Sequence, residues 1–142
     1  MINIGLVGCG RISQNHVKAI QENSSRCKLI AVCDILEDRA EKVASEMGCL
    51  AFNSLHAMLS EVKVDLLAVC TPSGLHPDHG ISAAKAGIHV LVEKPIGIVI
   101  SEVDRLIKAC DEAGVRLFVV KQNRLNPTMQ ALKRAIDKGR FG

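Results

Sequence analysis

The sequence predicts a doubly wound α/β fold, a parallel sheet with helices on both faces. Three observations carry that reading. Short apolar runs at 2–7, 28–33, 65–70, 88–92 and 115–120 alternate with segments of helical periodicity. The first run passes directly into the turn Gly8-Cys9-Gly10-Arg11-Ile12-Ser13, and the second ends in Asp34. Strands alternating with helices imply right-handed crossovers and hence parallel pairing.

Each element has its own signal. A first helix is expected over 12–22, with Ile12, His16, Ala19 and Ile20 on its inner side. The second strand follows at 28–33. A helix over 36–47 stops at Gly48, a natural residue just past a helix end. A short strand at 49–52 precedes Ser54, which can cap a helix reaching Glu61. The run at 65–70 is apolar after its first residue, as a central strand covered on both faces requires. A helix over 77–86 stops at Gly87, before the strand at 88–92. Ser101 and Asp104 resemble a capping box, and Val103, Leu106, Ile107 and Cys110 then keep helical spacing up to Gly114. The sixth strand is expected at 115–120. The last helix takes Asn126 as its N-cap and Pro127 as its first residue, with Met129, Leu132 and Ile136 along one stripe. Residues 1–122 therefore read as one domain, and 123–142 as a connecting helix.

Strand, glycine turn, helix, strand, acid is the order that a dinucleotide site requires. Gly8 allows the tight turn, and Gly10 lets the backbone approach a pyrophosphate with no Cβ in the way. The helix that follows aims free N–H groups and its positive dipole end at the phosphates. Ser13 takes the third position, where small size matters for packing. Asp34, at the carboxyl end of the second strand, can accept hydrogen bonds from a ribose diol. A carboxylate there welcomes a 2′-hydroxyl and repels a 2′-phosphate, which favours NAD over NADP. Arg39, five residues on, is expected to face solvent.

Composition narrows the function classes. The chain has 142 residues, 48% of them hydrophobic, enough for one domain with a proper core. Eighteen basic residues stand against fifteen acidic ones, spread without charge blocks, which argues against nucleic acid as a partner. No segment approaches the ~18 apolar residues that span a bilayer, and no signal-peptide pattern opens the chain. Six cysteines lack any Cys-x-x-Cys pair and sit mostly in apolar runs. They read as thiols in a reducing cytoplasm.

In an open parallel sheet, ligands bind beyond the carboxyl ends of the strands. Here those ends carry the glycine turn, Asp34, Thr71-Pro72-Ser73, Glu93-Lys94-Pro95 and Lys121-Gln122-Asn123-Arg124. Lys94 is the candidate catalytic residue. It lies between a strand end and Pro95, so its backbone is restricted, and its amine could exchange a proton with a sugar hydroxyl. His76 and His79 are three apart near a helix start, but nothing completes a metal site, and no metal is expected. His76 instead shapes the neighbouring loop or helix start. His16 and His56 read as ordinary helix residues.

Taken together, Gly8-Cys9-Gly10-Arg11-Ile12, Asp34, Cys70 through His76 and Val92-Glu93-Lys94-Pro95 resemble the glucose–fructose oxidoreductase and inositol dehydrogenase family. The resemblance covers the whole chain. Residues 120–127 and 139–142 look like the branch that oxidises C3 of UDP-N-acetyl-2-amino-2-deoxyglucuronate or a related nucleotide-sugar acid. The resemblance implies a Rossmann fold with NAD as cofactor. It makes Lys94 the catalytic lysine, with Glu93 and Pro95 shaping its loop. Gly8, Gly10, Arg11 and Ile12 would hold the pyrophosphate, and Asp34 the adenosine ribose. Thr71, Pro72, Ser73 and His76 would lie along the cofactor, with Gln122 near the nicotinamide. Family members carry a second α/β domain that binds substrate, supplies a catalytic histidine and builds a homo-oligomer. The resemblance thus implies the amino-terminal part of a larger enzyme, lacking that carboxy-terminal domain and inactive alone. A redox-sensing or otherwise non-catalytic dinucleotide module is the alternative, as is a dehydrogenase for another sugar or inositol.

Overall fold

The apolar runs pair side by side in one parallel sheet of six strands: β1 (Ile2–Val7), β2 (Cys27–Cys33), β3 (Leu50–Phe52), β4 (Leu66–Val69), β5 (His89–Val92) and β6 (Leu117–Val119). The computed structural model describes residues 1–141. The strand order is β3-β2-β1-β4-β5-β6, so the direction of winding reverses between β1 and β4. The helices are α1 (Ser13–Glu22), α2 (Glu37–Met47), α3 (Leu55–Glu61), α4 (His76–Lys85), α5 (Ile100–Glu112) and α6 (Pro127–Asp137).

Side chains alternate between the two faces of each strand, and each face builds its own core. Ile4, Leu6, Leu29, Val32 and Ala68 pack with Val17 and Ile20 of α1 and Ala40 and Val43 of α2. On the opposite face Val7, Ala31, Leu67, Val69 and Val90 pack with Met58, Ala83, Ala84, Leu106 and Cys110 from α3, α4 and α5.

Register turns this architecture into a site. Val7 pairs with Cys33 on one side and Val69 on the other, Val69 pairs with Val92, and Val92 with Val119. The strands therefore end in one row. Gly8, Asp34, Cys70, Glu93 and Val120 leave the sheet at the same edge, beside the reversal point.

Three local expectations change. Helix α1 buries Ser13, Val17 and Ile20, while Ala19 is exposed. Ala19 and His16 instead border a cleft of about 300 Å³, with Ile2, Ile4, Leu66 and Leu91. Phe118, registered beside Leu91, is exposed on the same face. Helix α5 starts at Ile100 from an extended Val99, without a side-chain cap, so Ser101 lies inside the helix. Packing decides this start. A Cβ at Gly97 would stand 2.7 Å from Val103 and 3.0 Å from Pro77, so the chain before the helix is held tightly there. Burial of Leu106 and Cys110 outweighs the cap, and Ile107 is left 42% exposed. Asn126 does occupy the N-cap of α6, but through its carbonyl, which accepts from Gln130 N–H at 2.9 Å.

No residue of α6 is buried, and Met129, Leu132 and Ile136 are 46%, 43% and 55% exposed. Burying such side chains is worth roughly 1.5–3 kcal/mol each. The chain is therefore expected to self-associate, and a Leu132→Glu, Ile136→Glu double variant to sediment as a smaller species. A wild-type chain that stays monomeric at high concentration would show the stripe to be satisfied within one copy. No helix among the described residues is long and apolar enough to cross a membrane.

Candidate functional site

The turn after β1 is built on two glycines with different duties. Gly8 has φ +93°, a conformation that side chains disfavour, and its N–H donates to Cys33 O at 2.8 Å. A Cβ on Gly8 would lie 2.7 Å from the backbone at Cys70 and Thr71. Gly8 is thus where the exits of β1 and β4 touch. Gly10 has nothing within 4 Å of its would-be Cβ, so the space above it is open. Ser13 is fully buried, and its hydroxyl donates to Gly10 O at 2.5 Å, tying the turn to α1. A larger third residue would break both features. Arg11 is exposed and Ile12 half-buried at the helix start.

Asp34 is buried and already engaged. One carboxylate oxygen accepts from Cys9 N–H at 2.8 Å, the other from Leu36 N–H at 2.9 Å. It holds the glycine turn against the end of β2. Each oxygen keeps lone-pair capacity for a further donor such as a ribose hydroxyl.

A cleft of about 380 Å³ opens at this edge. It gathers Gly8, Gly10, Asp34, Thr71 and Pro72 of the residues singled out in the sequence. It also gathers Arg39, Asn53, Leu75 and His79, which sequence reasoning did not assign to it. Arg39 is exposed as expected, yet it faces this cleft because α2 begins directly beyond Asp34. His79 Nδ1 lies 3.0 Å from the Thr71 hydroxyl. Burial pushes the His79 imidazole below its ordinary value, opposed by Asp78 and aided by His76.

The remaining candidates, Glu93, Lys94, His76, Ser73 and Gln122, do not line this cleft. Lys94 is exposed, and the Lys94–Pro95 peptide is cis. The Glu93 carboxylate is buried and turns inward. Oε1 meets His16 Nε2 at 2.9 Å, and Oε2 accepts from the Lys94 backbone N–H at 3.1 Å. His76 is buried with Nδ1 2.8 Å from Pro95 O and Nε2 2.7 Å from Thr71 O. It spans the loops after β4 and β5. Ser73 begins a single 3₁₀ turn at Ser73–Leu75, and Gln122 begins another at Gln122–Leu125, where it is exposed. Among the described residues no group of three or more His, Cys, Asp or Glu is placed to hold a metal.

Thiols line the floor below this edge. Burial, with the nearby Asp34 charge, pushes Cys9 up to about 12 and Cys33 to about 11. Burial, with the Glu93 charge, pushes Cys70 to about 12. Folding thus favours neutral thiols, so this stabilisation is complete below the unfolded value of 9.0 and is lost as pH rises toward 11–12. His79 has the opposite sense. Folding favours its neutral form, so its contribution is complete above 6.5 and lost as pH falls. Urea-melt midpoints are expected to be highest between these limits and to fall on both sides. A midpoint that keeps rising above pH 9 would contradict the burial of these thiols.

The fold recurs in known proteins. The description "oxidoreductase family, NAD-binding Rossmann fold" matches residues 2–121. The crystal structure of the WlbA dehydrogenase from Bordetella pertussis, in complex with NADH and UDP-GlcNAcA, superposes with a TM-score of 0.97 at 50% identity. It covers 99% of this chain and 43% of that one. The inositol 2-dehydrogenase of Rhizobium meliloti (strain 1021) is 33% identical over 99% of this chain and 42% of its own length. The UDP-N-acetylglucosamine 3-dehydrogenase of Acidithiobacillus ferrooxidans is 34% identical over 92% of this chain and 40% of its own. The chain spans about two fifths of the length of these relatives. With its motifs, strand order and extent of match, it belongs to the oxidoreductase family with an NAD-binding Rossmann fold, that of the glucose–fructose oxidoreductases and inositol dehydrogenases.

Proposed function

We propose that this chain is the cofactor-binding part of an NAD-dependent sugar dehydrogenase. Hydride would pass from a sugar carbon to the nicotinamide while Lys94 takes the hydroxyl proton. The observation that carries the reading is the single row of strand ends, with Gly8 and Asp34 on one side of the reversal and Glu93-Lys94 on the other. NAD, when bound, supplies the hydride acceptor. Gly10 and the α1 start leave room for its pyrophosphate, and Asp34 offers acceptors for the adenosine ribose. In this reading Thr71, Pro72 and Ser73 lie along the path toward Lys94, the buried His76 holds the loops on either side of it, and Gln122 stands at its far end. Residues 1–122 then form the cofactor domain, and 123–142 lead toward a substrate-binding part.

A nucleotide-sugar acid oxidised at C3 is the substrate class favoured by the likeness to a dehydrogenase solved with UDP-GlcNAcA. The inositol dehydrogenase relatives make a polyol the competing class. Six free thiols support a reducing, cytoplasmic setting. Amide NMR during an NAD titration tests the reading. Shifts are expected at Gly8, Gly10, Asp34 and Thr71, and also at Lys94. Shifts confined to the glycine turn and Asp34, with Lys94 silent, would favour a dinucleotide module without the proposed chemistry.

A further inference from the structure

We propose that His16 is a positioning residue that sets the Lys94 loop by holding the Glu93 carboxylate. The proposal deepens the dehydrogenase reading above and rests on it for its link to the cofactor. Lys94 lies between two residues that are each fastened by a histidine. His76 reaches the Pro95 carbonyl from α4, and His16 reaches Glu93 from the first turns of α1.

The His16–Glu93 contact joins residues 77 apart in the chain, with side chains only 14% and 7% exposed. An ionised carboxylate accepts hydrogen bonds and donates none, so His16 Nε2 carries the proton between them. Burying a carboxylate is costly unless its oxygens find donors. Here one oxygen takes His16 and the other takes the Lys94 amide. Remove His16, and one oxygen is left buried without a partner. The inexpensive relief is for Glu93 to swing toward water and release the Lys94 amide.

The same histidine connects both halves of the proposed cofactor site. Helix α1 begins at Ser13, whose hydroxyl holds the open Gly10 position on the phosphate side. Glu93-Lys94 stands on the nicotinamide side. His16 therefore acts through Glu93 and couples the phosphate-facing helix to the lysine loop without touching the reacting atoms.

Two readouts on the 142-residue chain test this. The first is hydrogen exchange at the Lys94 amide without ligand. The second is the preference for NAD over ADP-ribose, which lacks the nicotinamide. His16→Leu is expected to speed Lys94 exchange about tenfold or more, as loss of a charged hydrogen bond would. It should also lower the NAD preference while leaving ADP-ribose affinity unchanged. His16→Gln, which can place a donor near the Nε2 position, should restore both. Glu93→Ala should reproduce both changes, and adding His16→Leu to it should change nothing more, a comparison that survives if His16→Leu alone folds poorly. Unchanged Lys94 exchange in His16→Leu, an unchanged NAD preference, or no rescue by His16→Gln would overturn the proposal. A wild-type chain that binds neither ligand would strike the dinucleotide reading instead. The ligand-free exchange would still decide the His16–Glu93–Lys94 link.

Discussion

Replacing Gly8 with alanine is expected to abolish NAD binding and to destabilise the fold by about 3 kcal/mol or more. Holding a side chain at positive φ costs of order 1–3 kcal/mol by itself. The added Cβ also meets backbone atoms of Cys70 and Thr71 at 2.7 Å, and neither strand exit can retreat without breaking sheet register. Gly10→Ala is the control. Its Cβ meets nothing within 4 Å, so stability should change by less than about 1 kcal/mol. NAD affinity should nevertheless fall, because the open space is the proposed seat of the pyrophosphate. Urea unfolding beside calorimetry separates the two effects. A Gly8→Ala chain as stable as wild type would mean that the exits of β1 and β4 do not meet there as described.

Lys94→Met should have the largest effect on chemistry. When the chain is joined to the substrate-binding part of such an enzyme, turnover is expected to fall about 10²–10⁴-fold, the usual contribution of a general acid–base group. NAD affinity should be retained, because the residues proposed to hold the phosphates and adenosine ribose lie elsewhere. The 142-residue chain alone should show negligible turnover with either lysine or methionine. Steady-state rates beside NAD titrations distinguish the cases. Unchanged turnover in Lys94→Met would remove Lys94 from the reaction, and robust NADH production by the short chain would show its site to be sufficient.

Most elements were legible because parallel strands are apolar on both faces and helices end at glycines such as Gly48, Gly87 and Gly114. The glycine turn and Asp34 were legible for a different reason: their spacing is local. The helix start at Ser101 was misread because its cap competes with long-range packing of Gly97 against Val103 and Pro77, which no local pattern reveals. Ala19 was misplaced because a cleft lies between α1 and the sheet residues Ile4, Ala68 and Leu91, so a small apolar residue borders that cleft rather than a core. His16 was read as an ordinary helix residue because its partner lies 77 positions away. Arg39 is exposed as expected, and what the sequence did not reveal is that it also lines the cleft beside Asp34. The register that aligns Cys33, Val7, Val69 and Val92 is a three-dimensional fact, and only it sets the strand ends in one row.

Calorimetric titration of this chain with NAD and NADP, in wild type and Asp34→Ala, tests the central claim most directly. NAD should bind more tightly than NADP to the wild type, since in the proposed site the Asp34 carboxylate would accept from a 2′-hydroxyl and repel a 2′-phosphate. Asp34→Ala should narrow that gap. It should also cost about 1–3 kcal/mol of stability, because the amides of Cys9 and Leu36 lose their acceptors. Equal or tighter binding of NADP by the wild type, or a gap unchanged in Asp34→Ala, would contradict the role given to Asp34 and the orientation of the cofactor built on it.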